Sequence, residues 1–200
     1  YFLDPTSKLA KVWDVEFEPV AAGRDADAGL SVVAHISQST HYEDMLSWLL
    51  FYTSLFDVQK TPQVDINDPG GVVRSQVVET ADGTLRIALN ASQSTRTQSS
   101  RFLNEYFGSG VQHIAFATDD ILATAARLRA NGVETLRIPE NYYDDLEARV
   151  DLGSDRLRML KANNVLYDKD DNGEYFQLYT KSFKDLFFLE IVQRHGYKGF

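Results

Sequence analysis

Val33-Ala34-His35-Ile36-Ser37-Gln38-Ser39-Thr40 and Val111-Gln112-His113-Ile114-Ala115-Phe116-Ala117-Thr118 carry one pattern twice, with the histidines 78 residues apart. Each is a short run of strand-forming residues with a His-Ile pair inside it and a Thr at its end. A helix signal follows each at once. Thr40-x-x-Glu43 has the spacing of a capping box ahead of the apolar run Met45 to Phe56. Asp119 and Asp120 place negative charge at the head of Ile121 to Arg129, where the helix dipole favours it, and Asn131-Gly132 supplies the stop.

Strands come next in both halves. In the first they are expected over Val72 to Glu79 and Thr84 to Leu89, with Asp82-Gly83 as the turn between them. In the second they are expected over Val165 to Tyr167, Tyr175 to Thr180 and Phe187 to Gln193, with Asn172-Gly173 as the corresponding turn. Each half therefore reads strand, helix, three strands, the third strand of the first half being unlocated. Gln98 to Phe107 reads as a helix joining the halves, Tyr142 to Val150 as an inserted helix, and positions 21 to 30 as a loop before the repeat. The expected fold class is α+β, with two βαβββ modules curved around a shared cavity.

The composition bounds what such a chain does. Its net charge is −9 and it has no Lys/Arg-rich run, which argues against nucleic acid and anionic membrane as partners. It has no cysteine, which excludes disulfides, thiolate metal sites and Cys nucleophiles and fits a cytoplasmic protein. No apolar run approaches the roughly 18 residues that a membrane helix needs. The start lacks Met and a signal-peptide pattern, and the chain stops at Gly199-Phe200. The expectation is a piece of a longer polypeptide, with residues 1–30 as a lead-in and 31–200 as one domain. Module one would run from about 31 to 95 and module two from about 108 to 200.

Alternation places His35 on the face of Val33 and Ser37, and His113 on the face of Val111 and Ala115. Glu190 lies in Phe187-Phe188-Leu189-Glu190-Ile191-Val192, a strand apolar on both faces, where a carboxylate needs a cation or a metal. Two His and one carboxylate facing one cavity match the facial triad of non-haem iron sites. The alternatives at this point are histidines satisfied within the core, and a Glu190 paired with Arg74, Arg86 or Arg137. His41 and His195 read as surface residues. Asp168-x-Asp170-x-Asn172-Gly173 copies the opening of a calcium loop, but its twelfth position is Tyr179, where a bidentate Glu is required, so it reads as a turn.

Gly110-Val111-Gln112-His113-Ile114-Ala115-Phe116 resembles the second-histidine strand of 4-hydroxyphenylpyruvate dioxygenase, a vicinal-oxygen-chelate enzyme. Phe187 to Arg194 resembles its glutamate strand, continued by Gly199-Phe200. Tyr142-Tyr143 and Phe176 to Lys181 also fit, and the likeness runs from about Val12 to Phe200, the catalytic C-terminal half of that family. The resemblance implies His35, His113 and Glu190 as metal ligands. It implies Ser75, Asn90, Gln98, Gln112, Gln177 and Tyr179 as substrate-pocket residues, although Gln98 taken alone reads as an ordinary surface amide. It further implies Fe(II), with Mg, Mn, Co, Ni or Zn as alternatives, an aromatic keto acid and O₂ as reactants, and a homodimer of the full-length protein. The chain departs from the family at Ala88, where Pro is usual, at Tyr179, where Phe is usual, and in ending before the family's closing helix. His35 to Tyr42 and Arg194 to Phe200 look more like the dioxygenase-like domain of fused bacterial 3-dehydroshikimate dehydratases, in which dehydration takes place in a separate barrel. A third expectation is a structural or dimerising domain that kept its ligands by descent.

Overall fold

The computed structural model describes residues 4, 6–19, 27–184 and 186–197. The expected continuation at Gly199-Phe200, and most of the loop expected over 21 to 30, lie outside these. In chain order the helices are α1 (Val12–Glu16), α2 (Met45–Leu55), α3 (Gln98–Tyr106), α4 (Ile121–Ala130), α5 (Glu140–Arg149) and α6 (Ser154–Ala162). The strands are β1 (Leu30–Ser39), β2 (Gln59–Lys60), β3 (Val64–Asp68), β4 (Gly71–Glu79) and β5 (Arg86–Ala91), then β6 (Gly110–Thr118), β7 (Leu166–Lys169), β8 (Glu174–Tyr179) and β9 (Phe188–His195).

All nine strands join one mixed sheet in the order β2-β4-β5-β1-β6-β9-β8-β7, with β3 on β4. The sheet curls into a half-barrel. The duplication is plain in the pairing. β1 runs parallel to β5 as β6 runs parallel to β9, and β5 and β9 are antiparallel to β4 and β8 in turn. The modules meet where β1 and β6 pair antiparallel, with Ile36 opposite Ile114. The fold is α+β, built from two βαβββ modules.

Helices α2, α4, α5 and α6 pack on the face of the sheet away from His35, His113 and Glu190. Beneath α4, α5 and α6, Leu146, Leu160, Val165, Leu178 and Ile191 are buried in one cluster, each side chain contributing about 1.5–3 kcal/mol relative to exposure. In the first module Met45 and Leu49 of α2 pack on Val78, Ile87 and Leu89. Asp120 caps α4 by accepting from the Ala123 N–H, and Asn131 and a left-handed Gly132 end it, as the sequence leads one to expect.

One local expectation fails for a physical reason, and two elements form that the sequence does not locate. Thr40 does not cap α2: its N–H is held by the Asn90 carbonyl at the end of the sheet, and its buried hydroxyl meets Ser109 Oγ at 3.0 Å. A 3-10 turn over Tyr42–Asp44 leads into the helix instead. The expected inserted helix forms as α5, and a second, α6, follows it after Val150 turns extended and Gly153 adopts φ +74°. The unlocated third strand is β3, an edge strand with mostly exposed residues, so that no alternation of burial marks it.

Candidate metal centre

The junction of β1 and β6 builds the site. His35 lies opposite Ala115, and Ser37 lies opposite His113. On the next strand Ala115 lies opposite Glu190. The three functional side chains thus rise from adjacent strands onto the concave face, His35 and Glu190 each facing Ala115 and His113 facing Ser37 on one side and Phe188 on the other. By the same internal symmetry the counterpart of Glu190 is Ala88, which lies opposite Ser37. Three of four equivalent positions carry donors, and the fourth carries a methyl group.

His35 Nε2 lies 3.0 Å and His113 Nε2 3.3 Å from Glu190 Oε2. The imidazoles meet edge to face, with centroids 5.6 Å apart. One donor atom from each of the three residues falls within 4.8 Å of the others. His35 and Glu190 are 4% and 2% exposed, so a bare carboxylate here needs compensation. Burial pushes the Glu190 carboxyl up, but the imidazoles of His113 and His35 together pull it further down, leaving it well below the ordinary carboxylate range. Close as it is to Glu190, His35 Nε2 has no hydrogen-bond partner, and neither has His113 Nδ1. The Nε2 atoms of both histidines converge on one carboxylate oxygen, with one ligand atom from each residue within 4.8 Å of the others, an arrangement a shared cation could occupy. Two imidazoles and a carboxylate suit a borderline divalent ion. Arg86 and Arg74, the alternative partners of Glu190, are engaged with Glu79 and Asp65.

Beside the triad lies a cavity of about 380 Å³, lined by His113, Asn90, Gln98, Gln112, Tyr179 and Phe188 among others. Gln112 and His113 are neighbours in sequence yet both face it. A shift of register between Ser37 and Gln38 on β1 pairs Val111, not Gln112, with Gln38. This corrects the expected alternation: Val111 lies with Ile36 and Ile114 along a separate apolar groove. A second irregularity between Val33 and His35 leaves Val33 half-exposed while His35 is buried.

The expected pocket residues divide into groups. Asn90 Nδ2 donates to Ser37 Oγ at 2.8 Å, while Asn90 Oδ1 and the Oγ of its cross-strand partner Ser75 are buried without partners. Gln112 accepts from Ser39 Oγ at 3.2 Å and donates to the Gln98 carbonyl at 3.4 Å. Gln98 opens α3, its N–H held by Asp68 Oδ2. Burial, and then the charge of Glu190, push the Tyr179 hydroxyl well above its usual range and keep it a neutral donor. Ser75 and Gln177 are not among the residues lining the cavity, and the Gln177 amide donates to Glu190 Oε1 at 3.1 Å. Sequence reasoning missed Tyr175, whose hydroxyl lies 3.5 Å from the same Oε1. Nothing in the sequence sets it apart from an ordinary core aromatic of that strand. His41 and His195 are exposed, and the calcium-like segment is a turn in which Asp170 accepts from the Asn172 and Gly173 N–H groups.

A duplicated βαβββ sheet with two histidines and a glutamate converging at its pseudo-two-fold junction defines a paired-module protein with a candidate metal site. The chain belongs to the Glyoxalase/Bleomycin resistance protein/Dioxygenase superfamily, which matches over residues 33–178. It is 45% identical, over its full length, to a 3-dehydroshikimate dehydratase of Pseudomonas putida, of which it spans 32%. It is 33% identical over 94% of its length to a 4-hydroxyphenylpyruvate dioxygenase of Pseudomonas aeruginosa, of which it spans 54%. Among solved structures, a fusion of a xylose isomerase-like barrel with a 4-hydroxyphenylpyruvate dioxygenase superposes with TM-score 0.73 at 44% identity, over 86% of this chain and 28% of that one. A variant of 4-hydroxymandelate synthase from Streptomyces coelicolor gives 0.77 at 31% identity, over 86% and 50%. The chain thus spans about a third of the dehydratase and about half of the dioxygenase.

Proposed function

We propose that residues 31–200 form one metal-binding domain of a longer polypeptide, following a lead-in over 1–30, and that the domain takes a small aromatic keto acid in the manner of the dioxygenases it resembles. The convergence of His35, His113 and Glu190 beside the 380 Å³ cavity carries this reading. The three side chains would hold the ion, Fe(II) foremost, with Mg, Mn, Co, Ni or Zn compatible with the same donors. Bound there, the metal supplies Lewis acidity and open positions for a chelating acid and O₂. The chain's own residues do the rest. Ser75 Oγ and Asn90 Oδ1, buried and unpartnered, are groups that a hydroxyl on a bound substrate would satisfy, since an amide oxygen only accepts. Gln112 and Gln98 form the opposite wall, and Tyr179 offers a neutral hydroxyl beside Glu190. Fixed on paired strands, these groups orient a substrate with little reorganisation.

The test is an oxygen-electrode assay of the domain and of the longer polypeptide, loaded anaerobically with iron and given 4-hydroxyphenylpyruvate. Oxygen uptake with release of CO₂ is expected from the longer polypeptide, and little or none from the domain alone. No uptake from either at full iron occupancy overturns the keto-acid reading.

A second reading is favoured by one observation: identity is 45% to the dehydratase and 33% to the dioxygenase. On it, this is the metal-binding domain appended to a 3-dehydroshikimate dehydratase, with dehydration performed in another domain. The sequence upstream of Tyr1 decides between them: a barrel supports the appended domain, and a second dioxygenase-like half supports the first reading. Both readings place the protein in the cytoplasm as a homodimer, and among the described residues no helix is long and apolar enough to cross a membrane.

A further inference from the structure

Glu190 uses its two oxygens differently. Oε2 lies 3.0 and 3.3 Å from the histidine nitrogens, whereas Oε1 accepts the Gln177 amide at 3.1 Å and stands 3.5 Å from the Tyr175 hydroxyl. Gln177 and Tyr175 are alternate residues of one strand, β8, which pairs with the Glu190 strand, Gln177 lying opposite Val192 and Tyr175 opposite Arg194. They approach the carboxylate along the strand from the side away from Tyr179, which lies opposite Glu190 and lines the cavity. Tyr175 is itself wedged. Its ring stacks on Tyr197 at 5.2 Å and 12°, and the Arg194 guanidinium sits 4.2 Å from its centroid. The Tyr197 hydroxyl in turn donates to Asp168 Oδ2 at 2.6 Å.

We propose that Gln177 and Tyr175 are positioning residues that claim Glu190 Oε1 and so restrict the carboxylate to binding the metal through Oε2 alone. This rests on the reading of the triad as a metal centre. The consequence is a count of open positions. A carboxylate free to rotate could take two places on the ion; held at Oε1, it takes one. With His35 and His113 it then leaves about three positions of an octahedron open, enough for a two-toothed acid and a third small ligand. Gln177 acts on the ligand, through its hydrogen bond to Glu190 Oε1, and not on the substrate. Outer partners of this kind typically alter metal affinity about 10- to 100-fold when removed.

The experiment uses the longest available form of the protein loaded with Mn(II), whose exchangeable waters are counted by water-proton relaxation, together with the dissociation constant from titration. The variants are Gln177→Met and Tyr175→Phe, alone and combined. Tyr175→Phe keeps the stacked ring and so remains a folded test if Gln177→Met unfolds. Wild type is expected to show about three exchangeable waters. The double variant should bind Mn(II) at least about tenfold more weakly and lose one exchangeable water as Glu190 turns to bind with both oxygens. Folded variants with unchanged affinity and unchanged water count overturn the positioning role and leave the metal centre standing. Failure of the wild type to bind Mn(II), Fe(II) or Co(II) overturns the metal centre itself, and is told apart by the absence of any relaxation change on titration.

Discussion

His35 and His113 are not opposite one another: each faces the small residue two places beyond the other, His35 facing Ala115 and His113 facing Ser37. The imidazoles therefore stand diagonally across the β1–β6 ladder, and the space between them is kept open by a methyl and a hydroxymethyl group, both fully buried. Ala115→Leu fills that space. It should cost about 1–3 kcal/mol through overpacking, seen as a lower urea midpoint, and should expel the metal from a protein that still folds. Elemental analysis showing wild-type metal content in Ala115→Leu would contradict the proposed position of the ion.

Glu190→Gln keeps the shape of the side chain and removes the charge. At a hundredfold excess over its dissociation constant, a metal that binds only the folded state adds about 2.7 kcal/mol of stability. That gain should appear in wild type as a rise in melting temperature on adding Fe(II) or Co(II), and should nearly vanish in Glu190→Gln. An equal rise in both proteins would mean that the ion binds elsewhere.

Away from the site, Arg156 Nη2 donates to Glu174 Oε2 at 2.8 Å, and the Tyr167 hydroxyl donates to Oε1 at 2.7 Å. The Arg156 hydrogen bond is the leading cause that holds Glu174 below its usual range. A carboxyl depressed in the folded state contributes stability above its unfolded value, about 4.3, and loses it as the pH falls through the folded value. The pair is partly solvent-exposed, so its worth is below about 1 kcal/mol. Wild type should exceed Glu174→Gln by that margin near pH 7, and the margin should shrink as the pH drops below about 4.3. Urea titrations across this range check it, and a margin independent of pH would assign the effect to packing.

The parts of the centre legible in the sequence were those with a periodic signature. His35 and His113 share a repeat, and Glu190 is a lone charge in an apolar strand. Tyr175 was not legible, because a phenol two residues before Gln177 looks like any core aromatic until its hydroxyl is seen beside Glu190 Oε1. The irregularity that turns Gln112 inward was equally hidden, since strict alternation would have sent it away from His113. Thr40 misled because a residue can satisfy a helix-capping spacing and still be claimed by a sheet, here through the Asn90 carbonyl. The edge strand β3 carried no signal because little of it is buried.

Gly173 tests the difference between a turn glycine and a packing glycine. The Asn172-Gly173 pair suggests a residue chosen for left-handed backbone, but among the described residues Gly173 is not one of the positive-φ glycines. What it needs is space. A Cβ built there would lie 1.7 Å from the His195 carbonyl oxygen and 2.7 Å from the Tyr197 nitrogen. Both neighbours are backbone, so no side-chain rotation relieves the clash, and the next residue, Glu174, bridges to Gly196 at the same point. Gly173→Ala must therefore push the end of β9 away from β8, moving Arg194 and Tyr197 off Tyr175. The expected cost is about 1–3 kcal/mol or more, whereas Gly83→Ala, at φ +70° with nothing near its Cβ, should cost only the backbone strain of about 1 kcal/mol. Urea denaturation of the two variants side by side gives the comparison. If Gly173→Ala proves no more destabilising than Gly83→Ala, the close approach of β9 to this turn is not a constraint on the fold.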